Sequence, residues 1–137
     1  MRSKTIVIQG KPQGKGRPRF TRNGHCYTPE NTRRYEEQIR AAWMEQSDGW
    51  TVREGPVGII VMAYFPVPVS ANKTRRTEML TGRILPTVKA DADNILKAVL
   101  DALNGYAWND DKQIVSASIQ KLYGADPRVE VILHDVR

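Results

Sequence analysis

The residues best suited to chemistry in this 137-residue chain are Asp91, Asp93, Lys97 and the adjacent pair Asp110-Asp111. Asp91 and Asp93 are separated by one alanine where an extended approach runs into a helix. In extended backbone, residues two apart point the same way, so both carboxylates can face one site. Lys97 falls one helical turn beyond Asp93, which sets an ammonium beside them. Asp101 continues the stripe, but eight residues at 1.5 Å rise place it ~12 Å along the axis. That spacing makes Asp101 a solvated partner of Lys97. Asp110 and Asp111 sit at the mouth of a strand, where neighbours point to opposite faces. Asp111 shares parity with Gln113, Val115, Ala117 and Ile119, an apolar, helix-covered face, so it is the member expected to join Asp91 and Asp93.

Three carboxylates without His or Cys are hard oxygen ligands, suited to Mg²⁺ or Mn²⁺ and poorly suited to zinc or iron. Such ions polarise a phosphoryl oxygen, generate a water nucleophile and stabilise a leaving oxygen. Lys97 could balance charge on the phosphate or position the water. A purely structural reading makes Asp93 a helix cap and Asp110 and Asp111 turn residues. Other chemistries find less support. Cys26 is the only cysteine, so an internal disulfide and a cysteine zinc cage are excluded. His25 and His134 have no metal-ligand spacing. Neither a GxSxG elbow nor a GxxxxGK[ST] phosphate loop is present. Trp108 reads as a core aromatic covering a turn.

The elements that must position these residues follow from pattern. Residues 5–9 alternate as a short strand. Residues 10–27 carry four glycines and read as a loop or a mobile extended arm. Thr28 caps a helix with Pro29 at its first position, running to about Gln46 and burying Tyr35, Ile39, Ala42 and Trp43. Residues 57–67 form a buried strand ended by Pro66 and Pro68. Residues 70–90 form a long connection with a short helical piece over 74–80. Residues 93–104 form an amphipathic helix with Ile95, Leu96, Val99, Leu100 and Leu103 on its apolar face, stopped by Asn104-Gly105. Residues 113–123 and 128–136 make a hairpin. The predicted architecture is a single α+β domain over residues 1–137 in the order β-α-β-α-β-β, a mixed sheet with helices on one face.

Composition agrees with a globular domain: 40% of residues are hydrophobic and 26% charged. No apolar run approaches a membrane span, and residues 1–9 lack a signal-peptide core, so the expectation is a cytoplasmic protein without membrane partners. The net charge of +6 is unevenly spread. Residues 1–40 hold ten basic against three acidic residues, and residues 70–90 five against one. Residues 91–111 reverse the sign, with five aspartates against Lys97. Basic flanks around an acidic knot suit a polyanion-binding surface that also holds cations.

The run from Lys89 to Asn104 (KADADNILKAVLDALN), followed by Trp108-Asn109-Asp110-Asp111-Lys112-Gln113-Ile114, resembles the signature of the RusA family of Holliday junction resolvases. The early Gly14-Lys15-Gly16-Arg17-Pro18-Arg19-Phe20 resembles a recurring N-terminal segment of that family. The resemblance implies a homodimeric, Mg²⁺-dependent endonuclease that cuts four-way DNA junctions, commonly encoded by phages and prophages. Position by position, it implies that Asp91, Asp93 and Asp111 are the essential carboxylates and metal ligands, with Lys97 the essential lysine. It makes Arg75, Arg76, Arg83 and Lys89 candidate phosphate contacts, and Lys15, Arg17 and Arg19 of the basic arm are counted with them. Many relatives carry proline where this chain has Ala90.

The functional reading is therefore a resolvase for DNA recombination and repair, with Mg²⁺ (or Mn²⁺) as cofactor, no organic cofactor, and branched DNA as partner. A dimer suits a junction of approximate two-fold symmetry that needs matched cuts in opposed strands. Rival readings are a flap or fork nuclease, an RNA-directed nuclease, and a DNA-binding protein with a degenerate metal site.

Overall fold

The computed structural model describes residues 2–136. Its centre is strand β4 (Val57–Pro66), whose alternate residues Val57, Ile59, Val61, Ala63 and Phe65 are buried on one face. Ile60, Met62 and Tyr64, pointing the other way, are only half-buried. Strand β6 (Arg128–Asp135) pairs antiparallel with β4 and repeats the alternation through Val129, Val131 and Leu133. Strand β1 (Ser3–Gln9) pairs antiparallel outside β6, and β5 (Ile114–Gly124) pairs parallel on the far side of β4. The sheet order is β1-β6-β4-β5, a mixed sheet as expected. The hairpin expected of residues 113–123 and 128–136 is not formed: β4 lies between β5 and β6, and the turn after Gly124 carries the chain past the end of β4, whose apolar residues take the central place.

Helices α1 (Glu30–Gln46) and α3 (Ala92–Leu103) pack against each other and against β1 and β5 respectively, closing the core over the buried strand residues. Helix α1 also protects the free edge of β1. The Gln46 side chain donates to the Val7 carbonyl and accepts from the Val7 N–H, both at 2.8 Å. The backbone groups of an edge strand otherwise stand open to another chain.

Several details differ from the sequence reading. Two short strands, β2 (Arg19–Phe20) and β3 (Cys26–Tyr27), pair as a small hairpin inside the segment expected to be irregular. Helix α2 (Lys73–Leu80) is a full element between β4 and α3, so the order is β-β-β-α-β-α-α-β-β, with a 3-10 turn before β5. Pro29, with ψ 147°, stands outside α1 as its N-cap residue; Thr28 is not the cap. Helix α3 begins one residue earlier than expected. Its buried stripe is Ile95, Ala98, Val99, Ala102 and Leu103, with Leu96 and Leu100 half-buried. The small side chains of Ala98 and Ala102 give α3 a thin seam, and the distance between packed helices depends on the side chains at their contact.

Tyr35 is 4% exposed; its hydroxyl makes no well-formed hydrogen bond among the described residues, and the nearby Gln13 backbone only partly offsets its burial. Burial pushes this phenol up from its ordinary value of 10.0 to about 12. Since the folded value lies above the unfolded one, this contribution to stability is complete below pH 10 and is lost as pH rises toward 12. Tyr35→Phe removes the buried hydroxyl together with its contact to the Gln13 backbone, so stability at pH 7 should change by no more than about 1 kcal/mol. Urea denaturation should show this, along with a shallower loss of stability above pH 10. Ile39→Ala, a fully buried truncation in the same helix, should cost about 2–5 kcal/mol in the same assay.

Candidate functional site

Strands β4 and β5 are parallel neighbours, so the chain between them must cross the helical face. That crossover carries most of the residues singled out by the sequence. It leaves β4 at Pro66 and enters α2, where the Asn72 side chain caps the helix by accepting the Arg75 N–H at 2.9 Å. Arg75, Arg76, Arg83 and Lys89 are all exposed, and none is ion-paired among the described residues. The Lys121 ammonium on β5 donates to the Val88 carbonyl and ties the end of this segment to the sheet. The Lys89–Ala90 peptide bond is cis.

Asp91 is the N-cap residue of α3, yet its side chain makes no capping hydrogen bond. Asp93 lies in the first helical turn, so the extended-strand argument for their common direction does not apply. Both are exposed, and neither carboxylate has a hydrogen-bond or ion-pair partner among the described residues. The helix dipole favours negative charge at this end. Lys97 is 63% exposed, its ammonium 4.0 Å from the Asp101 carboxylate.

The aspartate pair divides its duties by a route other than strand parity. Both residues precede β5, and Asp111 opens a 3-10 turn (Asp111–Gln113). Asp110 caps that turn by accepting the Lys112 N–H at 2.9 Å, while the Gln113 side chain accepts the Asp110 N–H at 2.9 Å. Asp110 is thereby committed to the backbone. Asp111 instead accepts the indole N–H of fully buried Trp108 at 2.9 Å, which fixes its carboxylate from the core side. The strand beyond is less covered than expected: Val115 is 61% exposed, Ala117 is exposed, and the helix-facing side is half-buried from Ile119 onward.

Asp91 and Asp93 stand at the start of α3, and Asp111 lies beyond its end. Among the described residues, no three of His, Cys, Asp or Glu come together as a metal-holding group. The expected three-carboxylate cluster is thus not assembled within the single chain. Mg²⁺ commonly binds through one or two carboxylates plus waters and substrate phosphates, so Asp91 and Asp93 fit a hard cation by donor chemistry.

The basic arm is docked against the helices. Lys15 N–H donates to the Asn94 carbonyl at 2.9 Å, and Gly16 N–H donates to Thr32 Oγ1 at 2.9 Å. A Cβ on Gly14 would stand 2.9 Å from the Cβ atoms of Ala90 and Asn94. A Cβ on Gly16 would stand 2.8 Å from Thr32 Oγ1. Glycine at these two positions serves close approach rather than mobility. The Lys15 ammonium reaches Asp101 at 2.5 Å and Glu36 at 3.4 Å. Burial alone would lower the Lys15 pKa, but the two carboxylates, Asp101 foremost, outweigh it and hold it above 10.5. Arg17 and Arg19 are exposed and form no ion pair among the described residues. Gly14, Lys15, Arg17, Lys89, Ala90, Asp91 and Asn94 line one cleft, which joins the arm to the start of α3.

The model of the RusA endodeoxyribonucleases matches residues 9–134 of the sequence. The chain belongs to the RusA endodeoxyribonuclease family. It is also 38% identical over 136 residues to the uncharacterized protein YqaN of Bacillus subtilis (strain 168), covering 96% of this chain and 95% of that one. The family match spans the arm, α1, the crossover, β5 and nearly all of β6, so the site residues described above all fall within the RusA region. Among the described residues, no helix is long and apolar enough to cross a membrane.

Three contacts escaped the sequence reading. Glu36 and Asp101 hold Lys15, and Trp108 holds Asp111. The WxxD spacing was a local signal for the last contact, whereas nothing local pairs residue 15 with residues 36 and 101. Gly14→Ala should lift the arm off α3. Tryptic cleavage at the Arg19–Phe20 bond is expected to speed up by roughly tenfold, equivalent to about 1.4 kcal/mol of lost docking. The global melting temperature should move by only a few degrees.

Proposed function

We propose that this RusA-family chain is a Mg²⁺-dependent endonuclease that resolves four-way DNA junctions by paired phosphodiester hydrolysis, acting as a homodimer in DNA recombination and repair. The observation that carries the reading is the pair of unpartnered carboxylates, Asp91 and Asp93, beside exposed cations on two separate segments. Unpaired acidic groups on a basic protein favour a cation, and the flanking cations favour a polyanion that brings phosphates to it.

In this proposal Asp91 and Asp93 would hold the ion, with waters and substrate phosphates completing its shell. A bound divalent ion would supply Lewis-acid polarisation of a phosphoryl oxygen and acidify a water. Lys97, exposed on the face of α3 one turn past Asp93, balances charge that builds on the phosphate. Arg17 and Arg19 on the arm and Arg75, Arg76, Arg83 and Lys89 on the crossover neutralise backbone phosphates on either side. Such contacts set position and carry no sequence information. The two-fold character of a four-way junction calls for two such sites related by a dimer axis, which also explains how both nicks can fall in opposed strands.

The test is cleavage of a mobile four-way junction in Mg²⁺ by the wild-type protein and Asp93→Asn, with binding measured in parallel. The expected result is symmetrical paired nicks by the wild type. The variant should bind similarly but cut at least about 100-fold more slowly, as for loss of one transition-state charge contact. Faster cutting of flaps or forks than of four-way junctions would reassign the substrate. Tight binding without cutting by both proteins would reduce the chain to a junction-binding protein.

A further inference from the structure

The arm's cations do not share one role. Arg17 and Arg19 are exposed and unpaired among the described residues, whereas the Lys15 side chain is 19% exposed and lies between two carboxylates. Those carboxylates come from different helices, the buried Glu36 from α1 and the half-buried Asp101 from α3. Residues 14–16 have no lateral room, since Gly14 abuts Ala90 and Asn94 while Gly16 abuts Thr32 and Pro29. The ammonium is therefore delivered to Asp101 by a backbone fixed on both sides.

Asp101 has a second cation within reach. Lys97 lies one turn before it on α3, with its ammonium at 4.0 Å against 2.5 Å for Lys15. Glu36, Lys15, Asp101 and Lys97 thus form a neutral chain of two cations and two anions, with Lys15 in its interior and Lys97 at its exposed end. Removing the Lys15 charge leaves Asp101 with Lys97 as its near cation. An i,i+4 ion pair then draws the Lys97 ammonium down onto the helix and away from solvent.

We propose that Lys15 is a positioning residue rather than a DNA contact: by occupying Asp101 and Glu36 it fixes the arm between α1 and α3 and leaves the Lys97 ammonium free to meet phosphate. The assignment of Lys97 to phosphate rests on the nuclease reading above, while the competition for Asp101 does not. Lys15 touches neither substrate nor ion in this scheme. Its effect on cleavage is transmitted through Asp101.

The experiment compares wild type, Lys15→Met, Lys15→Arg and the double variant Lys15→Met/Asp101→Asn, each checked for folding by circular dichroism. The first readout is acylation of the Lys97 amine in the free protein by an N-hydroxysuccinimide acetate reagent, followed by mass spectrometry. Labelling should fall about two- to threefold in Lys15→Met, the size expected for strengthening one helical ion pair. It should return to the wild-type level in the double variant, where Asp101 no longer carries charge, and stay at that level in Lys15→Arg. The second readout is junction cleavage, in which kcat should follow the labelling across the four proteins while KM stays constant. The third is the salt dependence of junction binding, which should keep the wild-type slope in Lys15→Met. A slope reduced by about one would make Lys15 a phosphate contact and overturn the proposal. Unchanged Lys97 labelling in Lys15→Met would overturn it as well. If Lys15→Met does not fold, Lys97 labelling in the charge-balanced double variant and in Asp101→Asn decides the matter. Both should match or exceed wild type, and lower labelling in either refutes competition for Asp101. Absence of DNA cutting by the wild type would fail the nuclease reading alone, because the labelling comparison still decides whether Lys15 governs Lys97.

Discussion

The parallel pairing of β4 with β5 is the constraint on which the rest of the molecule depends. Antiparallel neighbours can be joined by a tight turn, but parallel neighbours need a crossover over one face of the sheet. Here that crossover is long enough to hold α2, α3 and the 3-10 turn, and it carries Arg75, Arg76, Arg83, Lys89, Asp91, Asp93, Lys97 and Asp111. Its far end returns to β5, where Lys121 grips Val88 and Trp108 grips Asp111. A topological requirement of the sheet thus places the functional segment between two well-packed strands. Its chemistry-bearing side chains remain at the surface while the apolar stripe of α3 seals the core.

Charge is sorted within this frame by whether it has a partner. Carboxylates with structural duties are satisfied: Asp110 caps the 3-10 turn, and Glu36 and Asp101 share Lys15. Asp91 occupies a cap position without capping, and Asp93 in the next turn has no partner among the described residues. The cations divide likewise. Arg33 and Arg34 lean on Glu30, and Lys15 is enclosed, while the arginines of the arm tip and of α2 form no ion pair among the described residues. A protein gains little stability from leaving like charges exposed side by side. The free groups are therefore the ones to which the proposed function assigns phosphate and cation contacts in a chain of the RusA endodeoxyribonuclease family.

Much of this was legible in the sequence, for identifiable reasons. The β4 and β6 strands and both long helices announce themselves by apolar periodicity, because a core face must repeat with the backbone period. The Asp91, Asp93 and Lys97 spacing is local, so its meaning survives without a fold. Local reasoning failed where it had to guess a helix start. Treating residues 91–93 as extended and residues 110–113 as strand gave the right groups a wrong geometry, because caps and 3-10 turns depend on side chains such as Gln113 reaching Val52 and Gly55. Glycines in the arm suggested freedom, yet at positions 14 and 16 they permit contact with helices distant in sequence.

The sequence by itself determined the α+β class, the basic flanks, the acidic knot and the family, since all four are properties of residue type and short-range order. Only the tertiary structure decided which charges are already neutralised. It seated Lys15 on Glu36 and Asp101, committed Asp110 to a turn, tied Asp111 to Trp108, and left Asp91 and Asp93 without partners among the described residues at the start of α3. The physical reason is range: periodicity and propensity act over a few residues, whereas Coulombic and steric partners are chosen by whichever segments the folded sheet brings together.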